Sequence, residues 1–370
     1  MDTTGPNSDT RLGAALPFWA PILLLPPILA FAAAKGGAWF LLVPAASWWL
    51  FILLDAALGR NPVNADPATD TARLRWHRMV TFAWVPIQAV MLFGLVAYVP
   101  RAPHLSVPEA IGLAAAAGTL TGTIGINYAH ELMHQRPRFE RRLADMLLAM
   151  VLYGHFRSEH LLVHHTHVGT PRDTVTAPLG EGFWRFLRRV VAGGPVSAFR
   201  AETAKLARAG RPWWHRSNPF WTYAALEIGC LLLAIVLGGA LGLMVFVVQA
   251  AFAILQLELV NYVEHYGLSR RRLADGRYEP AGPHHSWNAT QTASNWLLIN
   301  LQRHSDHHMK PDRRYPLLQT RAGEAPELPA GYPVMVGIAL VPPLWHRVMG
   351  PRVRAWRRRH YPDVADWTGA

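Results

Sequence analysis

Six apolar stretches of membrane-spanning length restrict this chain before any single residue is considered. They run roughly from Leu12 to Ala33, Ala38 to Leu58, Met79 to Val99, Val107 to Tyr128, Pro219 to Gly239 and Leu241 to Tyr262. Each comes near the ~20 apolar residues that cross ~30 Å of hydrocarbon. Six such runs seldom occur together as core helices of a soluble protein. The expected fold class is therefore all-α: an integral membrane protein with six transmembrane helices and a cytoplasmic helical part.

The basic residues orient these helices. Six crossings put both termini on one side, and 34 of the 36 Lys and Arg residues fall in the segments on that side. Only Lys35 and Arg101 occupy the opposite loops. Positively charged loops stay inside, which assigns both termini and two hydrophilic blocks, His130 to Ser217 and Glu264 to Ala370, to the cytoplasm. Topology thus accounts for the net charge of +12 without a nucleic-acid partner. The first ten residues carry two Asp and no base, unlike a cleavable signal peptide, so the expected protein is a multi-pass one of the inner (cytoplasmic) membrane. Residues 1–370 read as a single membrane domain, with residues 1–11 as a polar cytoplasmic tail. The one cysteine, Cys230, lies in the fifth stretch; a disulfide within the chain is impossible, and any metal has to be held by nitrogen or oxygen. Within the second block, Pro283 and the region of Gly276 read as loop, and Trp287 to Met309 as helix with Ser286 as a possible N-cap.

Both blocks begin without a break where the fourth and sixth stretches end, and there the 18 histidines form clusters. One is His130-Glu131-Leu132-Met133-His134, a second His160-Leu161-Leu162-Val163-His164-His165, a third His304-Ser305-Asp306-His307-His308; His265 stands alone in Asn261-Tyr262-Val263-Glu264-His265-Tyr266-Gly267. Spacings of three and four residues stack side chains on one helix face, so each cluster can aim several imidazoles at one point. Imidazole suits Zn, Cu, Fe and Ni alike, and the residues alone do not name the metal. Nine imidazoles exceed what one ion accepts and match two ions with four or five each. His130 to His134 also fits the H-E-x-x-H pattern of a zinc protease, with Glu131 as general base, but one zinc with three protein ligands leaves six clustered histidines without a task.

With these residues in view the chain resembles the alkane monooxygenase family, within the wider group of membrane fatty-acid desaturases, alkane hydroxylases and xylene-methyl hydroxylases. The matching motifs are His130 to His134, Tyr153-Gly154-His155-Phe156 leading to Glu159-His160, Asn261 to Gly267, Asp275-Gly276-Arg277-Tyr278-Glu279, Pro283-His284-His285-Ser286-Trp287-Asn288, and Leu301-Gln302-Arg303-His304-Ser305-Asp306-His307-His308. One departure stands out. Where hydroxylases of linear alkanes usually carry Asn, a basic residue and Gly between the second-cluster histidines, this chain carries Leu161, Leu162 and Val163, and a further histidine, His167, follows.

The resemblance implies a non-haem di-iron monooxygenase in which His130, His134, His160, His164, His165, His265, His304, His307 and His308 hold two Fe ions, with O2 as co-substrate. It implies Glu131, Glu159, Glu264, Asp306 and Asp173 as candidates to orient those ligands. The reaction is hydroxylation of a terminal methyl of an alkane or related hydrocarbon. The alternatives are a xylene/cymene-type methyl hydroxylase or a fatty acyl desaturase or hydroxylase on the same scaffold; the non-catalytic alternative is a metal-binding membrane protein. Attack on an unactivated C–H bond needs a redox metal, which excludes d10 zinc. Ser47, Trp48 and Trp49 in the second stretch are candidate gatekeepers of substrate length, and Leu161, Leu162 and Val163 are expected to flank the metal-facing side. No Gly-rich dinucleotide fingerprint and no Cys cluster is present. Electrons are therefore expected from rubredoxin or ferredoxin and its NAD(P)H-dependent reductase, docking on basic clusters such as Arg270 to Arg272 and Arg357 to Arg359, which equally suit a surface of anionic membrane lipids.

Overall fold

The computed structural model describes residues 10–364 and 367; the polar tail expected at residues 1–11 lies mostly outside them. Among the described residues, five helices are long and apolar enough to cross a membrane: α1 (Leu12–Lys35), α2 (Gly37–Leu58), α3 (Arg75–Arg101), α4 (Val107–Met133) and, after the cytoplasmic insertion, α8 (Phe220–His265). The insertion carries α5 (Arg138–Ala149), α6 (residues 156–167) and α7 (Phe183–Arg208). After α8 come α9 (Thr292–Leu297), α10 (His304–Met309), α11 (Tyr332–Ala339) and α12 (Pro342–His360). The expected fifth and sixth stretches are thus one helix of 46 residues, which held straight would be ~69 Å long. It is not straight. Gly239 sits at φ 59° and ψ −148°, a conformation open to glycine and closed to most L-residues. Gly154 N donates to Glu227 Oε1 at 2.8 Å while Tyr153 OH donates to Glu258 Oε1 at 2.9 Å. Two residues 31 positions apart on α8 therefore meet consecutive residues of the chain, and α8 folds back on itself at Gly239.

The second half of α8 packs on α4 through glycine. A Cβ on Gly122 would stand 2.7 Å from Gln256 Cβ and 2.8 Å from the Ala253 carbonyl, so only a residue without a side chain permits this approach, as is common between membrane helices. Large side chains on the outer surface, such as Val90 and Val236 at 75% and 79% exposure, face where lipid would lie. Three helices widen into single π turns: Ala45–Trp49 in α2, Thr121–Ile126 in α4 and His160–His164 in α6.

The expected helix from Trp287 to Met309 is broken. Residues Ile299 and Asn300 take positive φ values of 44° and 60°, separating α9 from α10. The backbone N–H of Asn300 closes the turn on Asn295 O at 2.8 Å, and its side chain donates to Tyr315 O at 3.0 Å, a bond outside the segment that overrides local helical preference. Ser286 caps no helix; it follows a short 3-10 turn, Pro283–His285, and α9 starts only at Thr292.

Candidate metal centre

The nine clustered imidazoles converge from four directions: the end of α4, α6, the end of α8, and α10. They fall into two groups, each with its ligand atoms within 4.8 Å of one another. His130, His134, His160, His165 and His307 form the first; His164, His265, His304 and His308 form the second. Neighbours in sequence are divided between them. His164 and His165 part company because α6 makes a π turn from His160 to His164, which brings position i over i+5 rather than i+4. His160 Nε2 and His165 Nε2 consequently stand 2.9 Å apart, and His164 turns toward His265, ring centroids 4.7 Å apart. On α10, His304 and His308 share a face, Nε2 to Nε2 3.0 Å, while His307 reaches across to His165 at 3.1 Å. The groups abut, with the rings of His165 and His308 4.6 Å apart.

The donor set fits two metal ions. In the first group the Nε2 of His160 lies 2.9 Å from both His130 Nε2 and His165 Nε2, and each neutral ring has only one proton to share among such contacts. The buried Nε2 of His134 has no hydrogen-bond partner among the described residues. Rings so disposed can share a cation between them. Burial first, then repulsion among the imidazoles themselves, holds His134, His160, His165, His304, His307 and His308 well below the ordinary imidazole value, which keeps them neutral and ready to ligate.

The carboxylates around the groups divide as well. Asp173 Oδ2 stands 3.0 Å from His164 Nδ1 and also accepts from Thr176 Oγ1 at 2.6 Å; burial would raise this carboxyl, but His164 and these hydrogen bonds hold it below the usual range. Glu264 Oε1 is 3.3 Å from His304 Nδ1. Neither Glu131 nor Asp306 touches a ligand nitrogen: Glu131 accepts from Gln135 Nε2 at 3.1 Å and Asp306 from Arg321 Nε at 2.8 Å and the Gln319 backbone at 3.1 Å. Glu159 accepts from Thr174 Oγ1 at 3.3 Å, and burial and then the nearby Asp173 and Glu258 push it well above the usual carboxylate range. The remote nitrogen of His265 faces a backbone oxygen, that of His285, at 3.3 Å.

Beneath the imidazoles lies a cavity with about 50 Å³ of free volume, lined by His130, His160 and His304 and by apolar side chains including Phe156, Val260 and Leu297. A larger pocket of about 310 Å³ lies beside it among α2, α4 and α8. Among the described residues Trp48 and Gln256 line both. Of the other gatekeeper candidates, Ser47 is buried with its hydroxyl on Val43 O at 2.8 Å, and Trp49 is 67% exposed on the outside of the bundle. Leu161, Leu162 and Val163 line neither cavity; on the π turn the inward positions belong to the histidines. The expected docking surface is smaller than its sequence suggests. Arg270 is buried, donating to Glu279 O and Thr166 O, and Arg357 donates to Gly267 O and Ser269 Oγ, which leaves Arg272, Arg358 and Arg359 exposed. Sequence reading missed a third group, Glu279, His284 and His285. There the Gly282 N–H donates to His285 Nδ1 at 2.8 Å and His285 Nε2 meets Glu279 Oε1 at 3.2 Å, so both ring nitrogens of His285 are engaged by the protein itself.

Comparison with known proteins places this geometry. A 323-residue alignment to alkane 1-monooxygenase 2 of Pseudomonas aeruginosa, at 39% identity, covers 86% of this chain and 85% of the relative. The chain belongs to the alkane 1-monooxygenase family. Another member, alkane 1-monooxygenase of Pseudomonas putida, is 36% identical over 323 residues, covering 86% and 79%. The family model for fatty acid desaturase matches residues 106–338, a segment that contains all nine imidazoles. The hydroxylase component of xylene/toluene monooxygenase from Pseudomonas putida is 29% identical over 339 residues, covering 88% and 85%. The chain is accordingly an all-α, multi-pass membrane oxidoreductase of the monooxygenase type.

Proposed function

We propose that the nine imidazoles bind two irons and that the protein hydroxylates the terminal methyl of an alkane: R–CH3 + O2 + 2 e− + 2 H+ → R–CH2OH + H2O. One observation carries this reading: imidazoles of both groups, His130 and His160 of the first and His304 of the second, line a mostly apolar pocket, and a second apolar pocket beside it lies among transmembrane helices. Iron bound there would supply the redox chemistry that reduces and cleaves O2.

The protein's own residues do the rest. Burial keeps His134, His160, His165, His304, His307 and His308 neutral, Asp173 fixes the tautomer of His164, and the His285 carbonyl fixes that of His265. Phe156, Val260, Leu297 and Leu298 exclude water from the reacting carbon, and Trp48, between the two cavities, limits how far a chain extends past it. The fold-back at Gly239 gives six crossings, and the positive charge then puts both termini and the metal centre on the cytoplasmic side. Electrons arrive from a rubredoxin or ferredoxin attracted to the cytoplasmic face, including Arg272, Arg358 and Arg359.

The test is to supply the purified protein in lipid with rubredoxin, its reductase, NADH and O2, offer n-octane and an alkylbenzene, and identify products by mass spectrometry. The expected result is 1-octanol formed by a protein carrying about two irons. Stoichiometric zinc with full activity, or an alkene as the product, would overturn it.

A further inference from the structure

Buried amides in a membrane helix bundle need partners, since an unpaired one is costly. Gln249, two turns below Gln256 on the same face of α8, has them: its Nε2 donates to Met150 O at 2.7 Å and its Oε1 accepts from Thr121 Oγ1 at 2.9 Å. Gln256 is 8% exposed, and its amide has no hydrogen-bond partner among the described residues. What exposure it has is to the two cavities, which it and Trp48 both line. Gly122, also lining the inner cavity, admits it: a Cβ there would meet Gln256 Cβ at 2.7 Å. The bundle has thus brought one free amide to the wall shared by two largely apolar pockets.

An apolar chain lying against this wall would expel water from the amide. A plain hydrocarbon offers nothing in return, whereas a chain with an oxygen at that depth accepts the N–H. The difference is worth roughly five- to a hundredfold in affinity, and a site built around a hydrogen bond rejects the analogue that lacks it far more strongly than an apolar pocket rejects a misfit methylene. Gln256 precedes His265 by nine residues on the same helix, ~13 Å along the axis, so the favoured oxygen lies several carbons back from the reacting methyl.

Building on the hydroxylase reading above, we propose that Gln256 is a specificity-determining residue whose amide hydrogen-bonds an oxygen within the substrate's alkyl chain, so that oxygen-bearing chains such as ethers and esters are preferred to alkanes of equal length. The experiment uses the iron-loaded full chain in lipid nanodiscs and a set of dialkyl ethers of equal length with the oxygen stepped along the chain, against the matching alkane. Affinity is read from ligand-dependent thermal stabilisation, and turnover separately from product. The expected wild-type result is one oxygen position bound about five- to a hundredfold tighter than the alkane. Gln256→Met removes that preference, and Gln256→Asn, one methylene shorter, moves it to a different position. Equal binding of every ether and the alkane, or a preference that survives in Gln256→Met, overturns the proposal. Should Gln256→Met not fold, the wild-type series and the Asn variant decide. A position-dependent affinity without hydroxylation supports Gln256 and refutes the hydroxylase reading; hydroxylation without position dependence does the reverse.

Discussion

The two imidazole groups are made of one residue type and held in different ways. In the group of four, two rings are hydrogen-bonded through the remote nitrogen, His164 with Asp173 and His265 with the His285 carbonyl, and a third, His304, has Glu264 3.3 Å away without a hydrogen bond. In the group of five no ring has a carboxylate within ion-pair distance among the described residues, and the carboxylates adjacent in sequence, Glu131, Glu159 and Asp306, pair with Gln135, Thr174 and arginines instead. Three of the four rings are buried, while His134 and His165 of the five are partly exposed. An oxygen partner fixes a ring's tautomer and raises its basicity, so the smaller group compensates for fewer ligands with stronger ones. The larger group relies on number.

The largest expected effect tests that difference directly. Replacing His265 with Ala leaves three ligands in the smaller group, and iron content should fall from about two per chain to about one, with at least a thousandfold loss of product formation. His165→Ala leaves four in the larger group and should retain close to two irons at reduced activity. Metal analysis of the two purified variants decides, and equal losses would show the groups to be equivalent. A smaller contrast lies in the carboxylates. Asp173→Asn should weaken metal affinity or activity by about 10- to 100-fold, measured by competition with a chelator. Asp306→Asn should leave affinity nearly unchanged and lower the melting temperature instead, because Arg313 and Arg321 lose a buried partner at a cost of about 3 kcal/mol.

The smallest effect is on pH dependence. His165 has its folded-state value pushed down by burial and by its neighbours. In the metal-free protein its contribution to stability is present in full above about pH 6.5 and is lost as the pH falls below that, since the unfolded chain then takes up a proton the folded chain refuses. His165→Gln should flatten the decline between pH 6.5 and 5 by at most about 1.4 kcal/mol per pH unit. A slope identical to the parent's would mean that this ring is already protonated when folded.

The histidines were legible in the sequence because imidazoles at helical spacing beside membrane-length apolar runs leave few other readings. Their division was not. Spacing alone puts His160 with His164, and only the π turn, a hydrogen-bonding choice with no sequence signature in Leu161 to Val163, pairs His160 with His165. The same turn keeps those three residues out of the cavity. Asp173 sits in a loop whose path no helical period predicts, yet it reaches His164. Arg270 reads as one of a surface run of three arginines and is buried by carbonyls from distant segments. The fold-back of α8 was visible as two stretches, and Gly239 marks where one turns into the other.

A π turn is an α-helix with one residue added. Removing any one of Leu161, Leu162 or Val163 would delete no histidine and would restore an ordinary turn, in which i stands over i+4 instead of i+5. The residue now numbered His165 would then fall four positions after His160, and His164 three. The allotment of ligands to two ions therefore hangs on the match between chain length and turn type: shortening the segment as the turn tightens keeps His165 over His160, whereas tightening the turn at its present length would bring His164 there instead.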